Sequence, residues 1–448
     1  MWGRSAFRGG VTPATHKAQT QTQRIRQFPF APLLEVPLLQ HAGRPALPVV
    51  REGAAVERGA VLGRADGERS VPVHAPAAGR VQRIALMPSV TGAMVPGIYL
   101  EPFPGATQEV ASGTACDLAT ATAEDIINAV QAAGIVGLGG AAFPTHAKLR
   151  MPPERRVRLL IINGAECEPW LTTDYRVMLE QPADVVLGVR YLLKATGAEA
   201  VVLAVEEDGR EAGEAVLAAA PEGMSLKASF LPTRYPQGAE KLLIRALLGV
   251  EVPAGGLPID VGALCINVAT AAEIGRLLPF GRGIQERVVT ITGPGVLDPG
   301  NYRMPIGTPL RFALEQVGTA ADVTRVFLGG PMMGQPLASL DVPITKGISG
   351  FVAFTSAEYR DAGRVQPCIH CGRCVQACPM TLNPCQLGLL ARHGEVETMR
   401  RDFHLDACFE CGCCAYVCPS HIPLVQEFRA AKAELRRLAA HAVTEEKS

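Results

Sequence analysis

Cys368-Ile-His-Cys371-Gly-Arg-Cys374-Val-Gln-Ala-Cys378-Pro379 and Cys408-Phe-Glu-Cys411-Gly-Cys413-Cys414-Ala-Tyr-Val-Cys418-Pro419 decide how this chain is read. Each run is C-x2-C-x2-C-x3-C-P, the spacing that holds a 4Fe–4S cluster. Three closely spaced thiolates can wrap three irons of a cubane, because the loop between them turns backbone N–H groups toward the sulfurs. The fourth cysteine, followed by proline, lies too far round the turn to complete its own cube. In two-cluster proteins it ligates the other one. The spacing therefore predicts one cluster on Cys368, Cys371, Cys374 and Cys418, and a second on Cys378, Cys408, Cys411 and Cys414. Zinc also takes C-x2-C pairs, but it has no use for a duplicated four-cysteine run ending in Cys-Pro. A disulfide framework belongs to small stapled scaffolds, which 448 residues with long apolar runs and 35 prolines do not resemble.

Around these motifs the pattern is helical. Leu382 to Phe403 and the stripe Leu424, Val425, Phe428, Ala431, Leu435, Leu438 recur at helical spacing, predicting an α-helical ferredoxin-like unit over 357–448. The stripe is expected to pack on the cluster unit or on a partner. Arg429, Lys432, Arg436 and Arg437 lie off it and read as a solvated face, with a membrane-surface contact as the alternative. Of the other cysteines, Cys116 and Cys265 read as apolar filler, Cys385 as buried helix filler, Cys413 as a spare beside Cys414, and Cys167 as open to reactivity.

Composition bounds the remainder. The length suggests three or four domains at roughly 100–150 residues each. Hydrophobic content of 48% is ample for buried cores, and 43 basic against 43 acidic residues point to no nucleic-acid or polyanion partner. Thirteen cysteines with eight committed to clusters imply a reducing cytosol. No run of 18 apolar residues exists, so no spanning helix is expected. Residues 1–27 are polar and basic without an apolar core, so no secretion signal is expected.

Residues 1–30 read as an extended arm broken by Gly9-Gly10 and Pro13. From 33 to 102 come short apolar segments with glycine turns, among them Val73-His74-Ala75-Pro76-Ala77-Ala78-Gly79-Arg80-Val81, which predict a small β-sandwich or barrel. The order resembles biotinyl- and lipoyl-like barrel-sandwich modules. No lysine stands at the hairpin tip, where 66–71 read Asp-Gly-Glu-Arg-Ser-Val, so covalent lipoyl or biotin attachment is not expected and the module over 1–110 is structural.

From 111 to 285 helices alternate with apolar strands. Helices are expected over 123–133, 183–196, 208–219, 238–248 and 269–278, and strands over 157–163, 201–205, 225–231 and 262–267. Such alternation predicts a mostly parallel α/β sheet with ligands outside the carboxyl ends of its strands. Gly137-Leu-Gly139-Gly140-Ala-Ala142 formally matches the dinucleotide fingerprint, but a helix precedes it and Pro144 interrupts the stretch after it, so an ordinary Rossmann site is not expected. Its glycines let backbone approach a phosphate or flat ring, with Lys148 supplying charge; a flexible loop without ligand is the alternative. Asn163-Gly-Ala-Glu166-Cys167-Glu168-Pro169 comes after a strand, where Asn can meet a heterocycle edge and Glu a ribose, although acids there are often merely solvated. Tyr235-Pro-Gln-Gly238-Ala239-Glu240-Lys241 opens a helix whose N–H groups can face a phosphate.

Together these loops carry a resemblance. Gly137–Lys148 is similar to the flavin loop "G-R-G-G-A-G-F-P-T-x-x-K" of the NADH-binding flavoprotein subunit of respiratory complex I, Asn163–Pro169 to its "N-x-D-E-x-E-P", and Asn267–Thr270 to its "N-N-V-E-T". The C subunit of the Rnf electron-transport complex resembles the chain more closely, through "G-L-G-G-A-A-F-P-T-H-x-K-L", "N-G-A-E-C-E-P", "Y-P-Q-G-A-E-K" and "G-G-P-M-M-G", the last being Gly329–Gly334 here. The resemblance runs over nearly the whole chain, arm and cluster motifs included. It implies a Rossmann-like FMN domain over 111–285, a β-grasp (soluble-ligand-binding) domain over 286–356, and NADH accepted above the FMN ring. Flavin contacts carry over to Gly137, Gly139, Gly140, Lys148, Asn163, Glu166 and Asn267, NADH stacking to Phe143, and ribose contact to Glu168. Two positions depart, Ala165 where complex I has Asp and Ile266 where it has a second Asn.

The implied role is the NADH-oxidising subunit of a membrane-bound ion-translocating complex, peripheral on the cytoplasmic face of the bacterial inner membrane. It would work with the other Rnf subunits and a ferredoxin or ferredoxin-like subunit. A soluble cobalamin-reductase-like flavin–iron–sulfur reductase and a non-catalytic relay subunit are the alternatives. The reductases place their clusters before the β-grasp unit, whereas here the clusters come last.

Overall fold

The computed structural model describes residues 7–152, 154–359 and 364–445. Its site-bearing unit is a four-stranded parallel sheet in the spatial order Leu226–Leu231, Ala200–Glu206, Leu159–Asn163, Ala263–Asn267. Strands buried on both faces read as continuous apolar runs, as Leu-Leu-Ile-Ile and Ala-Leu-Cys-Ile do here. Their side chains alternate between two cores. Leu160, Ile162, Val201, Leu203, Leu264 and Ile266 pack with the helices Pro182–Thr196, Arg210–Ala218 and Val268–Leu277. Leu159, Ile161, Val202, Ala204, Ala263 and Cys265 pack against Glu240–Leu248 on the other side. Each fully buried leucine, isoleucine or valine contributes about 1.5–3 kcal/mol by leaving water.

In chain order the strands run third, second, first, fourth, so the direction of winding reverses between Leu159–Asn163 and Ala263–Asn267. Crevices at such reversals are where open α/β sheets bind ligands. The expected strands and long helices are present within a few residues of their anticipated ends.

Two elements of this unit were not anticipated. A helix spans Thr173–Glu180, and a five-residue helix, Thr145–Leu149, comes directly after Pro144. Pro144 is the N-cap residue of that helix, at φ −54° and ψ 118°, where its missing N–H forfeits no intrahelical bond, although its sequence context suggested an interruption.

The N-terminal module is two small antiparallel sheets, one of Leu34–Pro37, Met94–Pro102, Gly79–Pro88 and Ala55–Val56, the other of Leu47–Pro48, Val61–Arg64 and Val73–His74. Leu34, Val36, Leu62, Val73, Val81, Ile98 and Leu100 fill the space between them. In the β-grasp unit the helix Leu310–Val317 packs on a six-stranded sheet whose edge, Arg26–Gln27, comes from the arm. The cluster unit is all helical, and Leu424, Val425, Phe428, Ala431 and Leu435 are buried in its core with Leu387, Met399 and Leu405. The amphipathic stripe thus packs on its own unit, with Leu438 left 38% exposed.

The arm is extended except for a short helix, Ala18–Gln21, that was not anticipated, and it is not free. Gly10 N–H bonds to Ala377 O, Val11 pairs with Tyr235, and Thr15 O accepts from Trp170 N–H. His16 stacks on Trp170 at 4.4 Å. Residues 7–17 therefore cross from the cluster unit to the α/β unit.

Candidate functional site

Asn163 and Asn267 end adjacent strands as register partners at the winding reversal. Asn267 caps its helix by accepting from Thr270 N–H (3.2 Å) and donates to Asp174 Oδ2 (2.6 Å). Asn163 donates to Gly238 O at 2.9 Å, and its own oxygen accepts from Ala165 N–H. Gly238 is pressed so closely on this loop that a Cβ would lie 2.2 Å from Ala165 O, so only glycine fits there.

The glycine loop stands over the same edge. Leu138 N–H donates to the buried Thr270 hydroxyl, and Arg287 donates to Leu138 O at 2.6 Å. Gly137 N–H closes the loop on Phe143 O. Gly139, Gly140 and Phe143 are exposed, and a Cβ on Gly140, at φ +107°, would meet nothing within 4 Å. Open backbone with no side chain above it, beside two strand-end amides and the Lys148 ammonium, is a donor set that fits a flavin nucleotide. Lys148 itself pairs with Glu240 at 2.6 Å.

Glu166 caps the helix Thr173–Glu180, its carboxylate accepting from Asp174 and Tyr175 N–H at 3.1 and 3.2 Å. That tertiary cap explains a helix with little apolar periodicity of its own. Burial and the neighbouring Asp174 push the Glu166 carboxyl up, and burial raises Asp174 likewise. Glu168 Oε1 accepts from Met332 and Met333 N–H at 2.6 and 3.0 Å, tying the acidic loop to the Gly329–Gly334 turn. Burial pushes the Glu206 carboxyl up to about 7. Among these acids stands Lys17 of the arm, 8% exposed, which donates to Glu166 O and lies 3.8 Å from Asp208. Burial raises the Cys167 thiol strongly, by more than the Gly238 N–H donated to its sulfur at 3.3 Å lowers it, so its environment favours the neutral thiol.

Two cavities lie in the cluster unit. Cys368, Cys371, Cys374 and Cys418 line the first; Cys378, Cys408, Cys411 and Cys414 line the second. The two runs take one backbone path 40 residues apart. His370 and Glu410 N–H point at the sulfurs of Cys368 and Cys408 at 3.4 Å, and His370/Glu410, Gly372/Gly412 and Thr381/His421 all take positive φ. Eight cysteines in two groups of four, with N–H groups on their sulfurs, fit two 4Fe–4S clusters.

The second cavity abuts the α/β unit. Tyr235, 2% exposed, donates to Cys411 O at 2.7 Å, and a Cβ on Gly412 would lie 2.6 Å from Met332 O. Beside the first cavity Cys371 is exposed and Ile369 is 67% exposed.

Asp174, Arg287 and the roles of Lys17 and of the Tyr235 hydroxyl carry no sequence signal that singles them out. Lys17, in the arm stretch Gly9-Gly10…His16-Lys17, and Tyr235 do stand in stretches that carry the family resemblance. Two expectations are corrected. Arg429 and Lys432 are not a solvated face: they clamp Glu410 at 3.0 and 3.1 Å, and Lys432 also donates to Cys408 O. Burial alone would raise the Glu410 carboxyl, but the hydrogen bonds from Lys432 and Arg429 hold it below its usual range. Cys385 is not core filler; it lines the first cavity, with its sulfur 3.6 Å from that of Cys368. Cys116 and Cys265 are buried in apolar cores as expected, and Cys413 is fully buried outside either lining.

Fold and site define a multidomain electron-transfer protein with a flavin-binding unit and a dicluster unit. Family models match accordingly: an RnfC barrel sandwich hybrid domain over 5–103, a Nuo51 FMN-binding domain over 130–276, an SLBB domain over 288–336 and a 4Fe-4S dicluster domain over 367–422. The chain is 38% identical over 432 residues to the C subunit of the proton-translocating ferredoxin:NAD(+) oxidoreductase complex of Clostridium ljungdahlii, covering 96% of this chain and 94% of that one. It is also 38% identical over 434 residues to the C subunit of the ion-translocating oxidoreductase complex of Rhodobacter capsulatus, with 96% and 83% covered. It belongs to this family, the C subunits of the Rnf-type ion-translocating oxidoreductase complexes. Among solved structures, an NAD+-reducing [NiFe]-hydrogenase in its H2-reduced state shares the fold at TM-score 0.50 and 21% identity, covering 70% of this chain and 62% of that one. No helix among the described residues is long and apolar enough to cross a membrane.

Proposed function

We propose that the chain is the subunit where electrons from NADH enter an Rnf-type ion-translocating complex, carrying FMN and two 4Fe–4S clusters between NADH and its partner subunits or ferredoxin. The observation that carries this reading is the contact of Tyr235 with Cys411, which sets one four-cysteine cavity against the candidate flavin loops. Bound FMN supplies the exchange between two-electron hydride chemistry and the one-electron chemistry of the clusters. Gly137, Gly139, Gly140, Lys148, Asn163, Glu166 and Asn267 hold it, Phe143 stacks on the nicotinamide, and Glu168 serves the ribose while securing the Gly329–Gly334 turn. Cys378, Cys408, Cys411 and Cys414 ligate the cluster nearer the flavin. Cys368, Cys371, Cys374 and Cys418 ligate the outer one, whose exposed rim faces the partner. The chain lies peripherally on the cytoplasmic face of the inner membrane, attached through other subunits.

Anaerobic reconstitution with FMN, iron and sulfide, and then addition of NADH, tests this. Flavin bleaching and then EPR signals of reduced clusters are the expected result. Clusters that respond to dithionite but not to NADH would overturn it. A relay subunit with no working flavin pocket gives that second result, and one observation favours it: Lys148, Asn163, Glu166 and Asn267 already have partners within the chain.

A further inference from the structure

The two cluster cavities are built by a repeat, and they differ at one matched position. Cys385, second residue of the helix Pro384–Arg392, lines the first cavity; 40 residues on, Val425 lines the second. Asn383 fixes the start of that helix by accepting from Gln386 N–H at 3.1 Å. The Cys385 sulfur is thereby placed 3.6 Å from Cys368 Sγ and 3.8 Å from His370 Nδ1.

We propose that Cys385 is a positioning residue for the outer cluster, donating an S–H···S hydrogen bond to the Cys368 sulfur and raising the reduction potential of that cluster alone. This rests on the assignment of Cys368 as a ligand. The chemistry sets the direction of the bond, because a cysteine bound to iron has no proton to give and only Cys385 can be the donor. Hydrogen bonds to cluster sulfurs favour the reduced, more negative state, and so move the potential upward. Cys368 already accepts the His370 N–H, so the thiol adds a second donor to one sulfur. Val425 offers none, which makes the inner cluster an internal control.

The test is an EPR-monitored redox titration of the reconstituted full chain, with iron content measured alongside, for Cys385→Ala and Cys385→Ser. Cys371→Ser, by abolishing one signal, identifies the outer cluster; if it abolishes neither, the ligand assignment fails, separately from the proposal. Cys385→Ala is expected to keep full iron and shift only the outer midpoint to a more negative value, and Cys385→Ser, with its O–H donor, to restore it. Unchanged midpoints in Cys385→Ala, a serine variant that behaves like alanine, equal shifts of both signals, or loss of one cluster's iron would each overturn it.

Discussion

The hydroxyl of Tyr235 donates to the carbonyl of Cys411 across the junction between the α/β sheet and the cluster unit. It does so from a buried position, so the carbonyl has no water to fall back on. Tyr235→Phe leaves an unsatisfied buried acceptor, which costs about 1–3 kcal/mol. A lower Tm by calorimetry is expected, with iron content unchanged and slower cluster reduction after NADH in stopped-flow measurements.

Cys378 belongs to the first motif by sequence but lines the second cavity. Cys378→Ser is expected to deplete the cluster that Cys411→Ser depletes. The Cys378→Ser, Cys411→Ser pair then removes no more iron than either change alone, whereas Cys378→Ser with Cys371→Ser removes both clusters. Iron analysis with EPR of the dithionite-reduced protein decides between interleaved and self-contained motifs.

Glu206 is buried, and its carboxyl is raised to about 7 against an ordinary value near 4.5. Between these values the folded chain holds a proton that the unfolded chain has released, so stability falls as pH rises from about 4.5 to about 7 and levels off above. The loss is on the order of 3 kcal/mol. Glu206→Gln is expected to make the decline of the Tm–pH profile shallower across that window than in the wild type, the buried Glu166 accounting for decline that remains.

Lys432 and Arg429 bring two positive charges to Glu410, beside the second cavity. Lys432→Ala removes one charge and the bond to Cys408 O, a charge-assisted contact of about 1.5–3 kcal/mol. The midpoint of the inner cluster is expected to move negative while the outer one stays. An EPR titration reads both in one sample.

Short-range pattern is what the sequence makes legible. The cysteine spacing encodes the two groups of four, and apolar runs between helical stretches encode the parallel sheet. Arg429 and Lys432 are misread because helical phase shows which residues leave the stripe, not what packs against them; Glu410 lies 19 and 22 residues away. The role of Lys17 is missed for the same reason at longer range, since 149 residues separate it from Glu166. The helix Thr173–Glu180 takes its cap from Glu166, eight residues before Asp174 and not at the N-cap position that a helix-start signal reads. Cys385 looks like filler because only the folded position of its helix start brings it to Cys368.

The interchange of the two Cys-Pro ends has a developmental cost and a benefit. Neither motif lines a cavity with all four of its own cysteines, so on the proposed ligand sets a nascent chain cannot finish the first cube before Cys418 has been made. On that assignment iron loading waits until both motifs exist, and a chain cut short between them offers the first cube only three of its four sulfurs, Cys368, Cys371 and Cys374. Connectivity of the proposed ligand sets then works against half-built wires by itself.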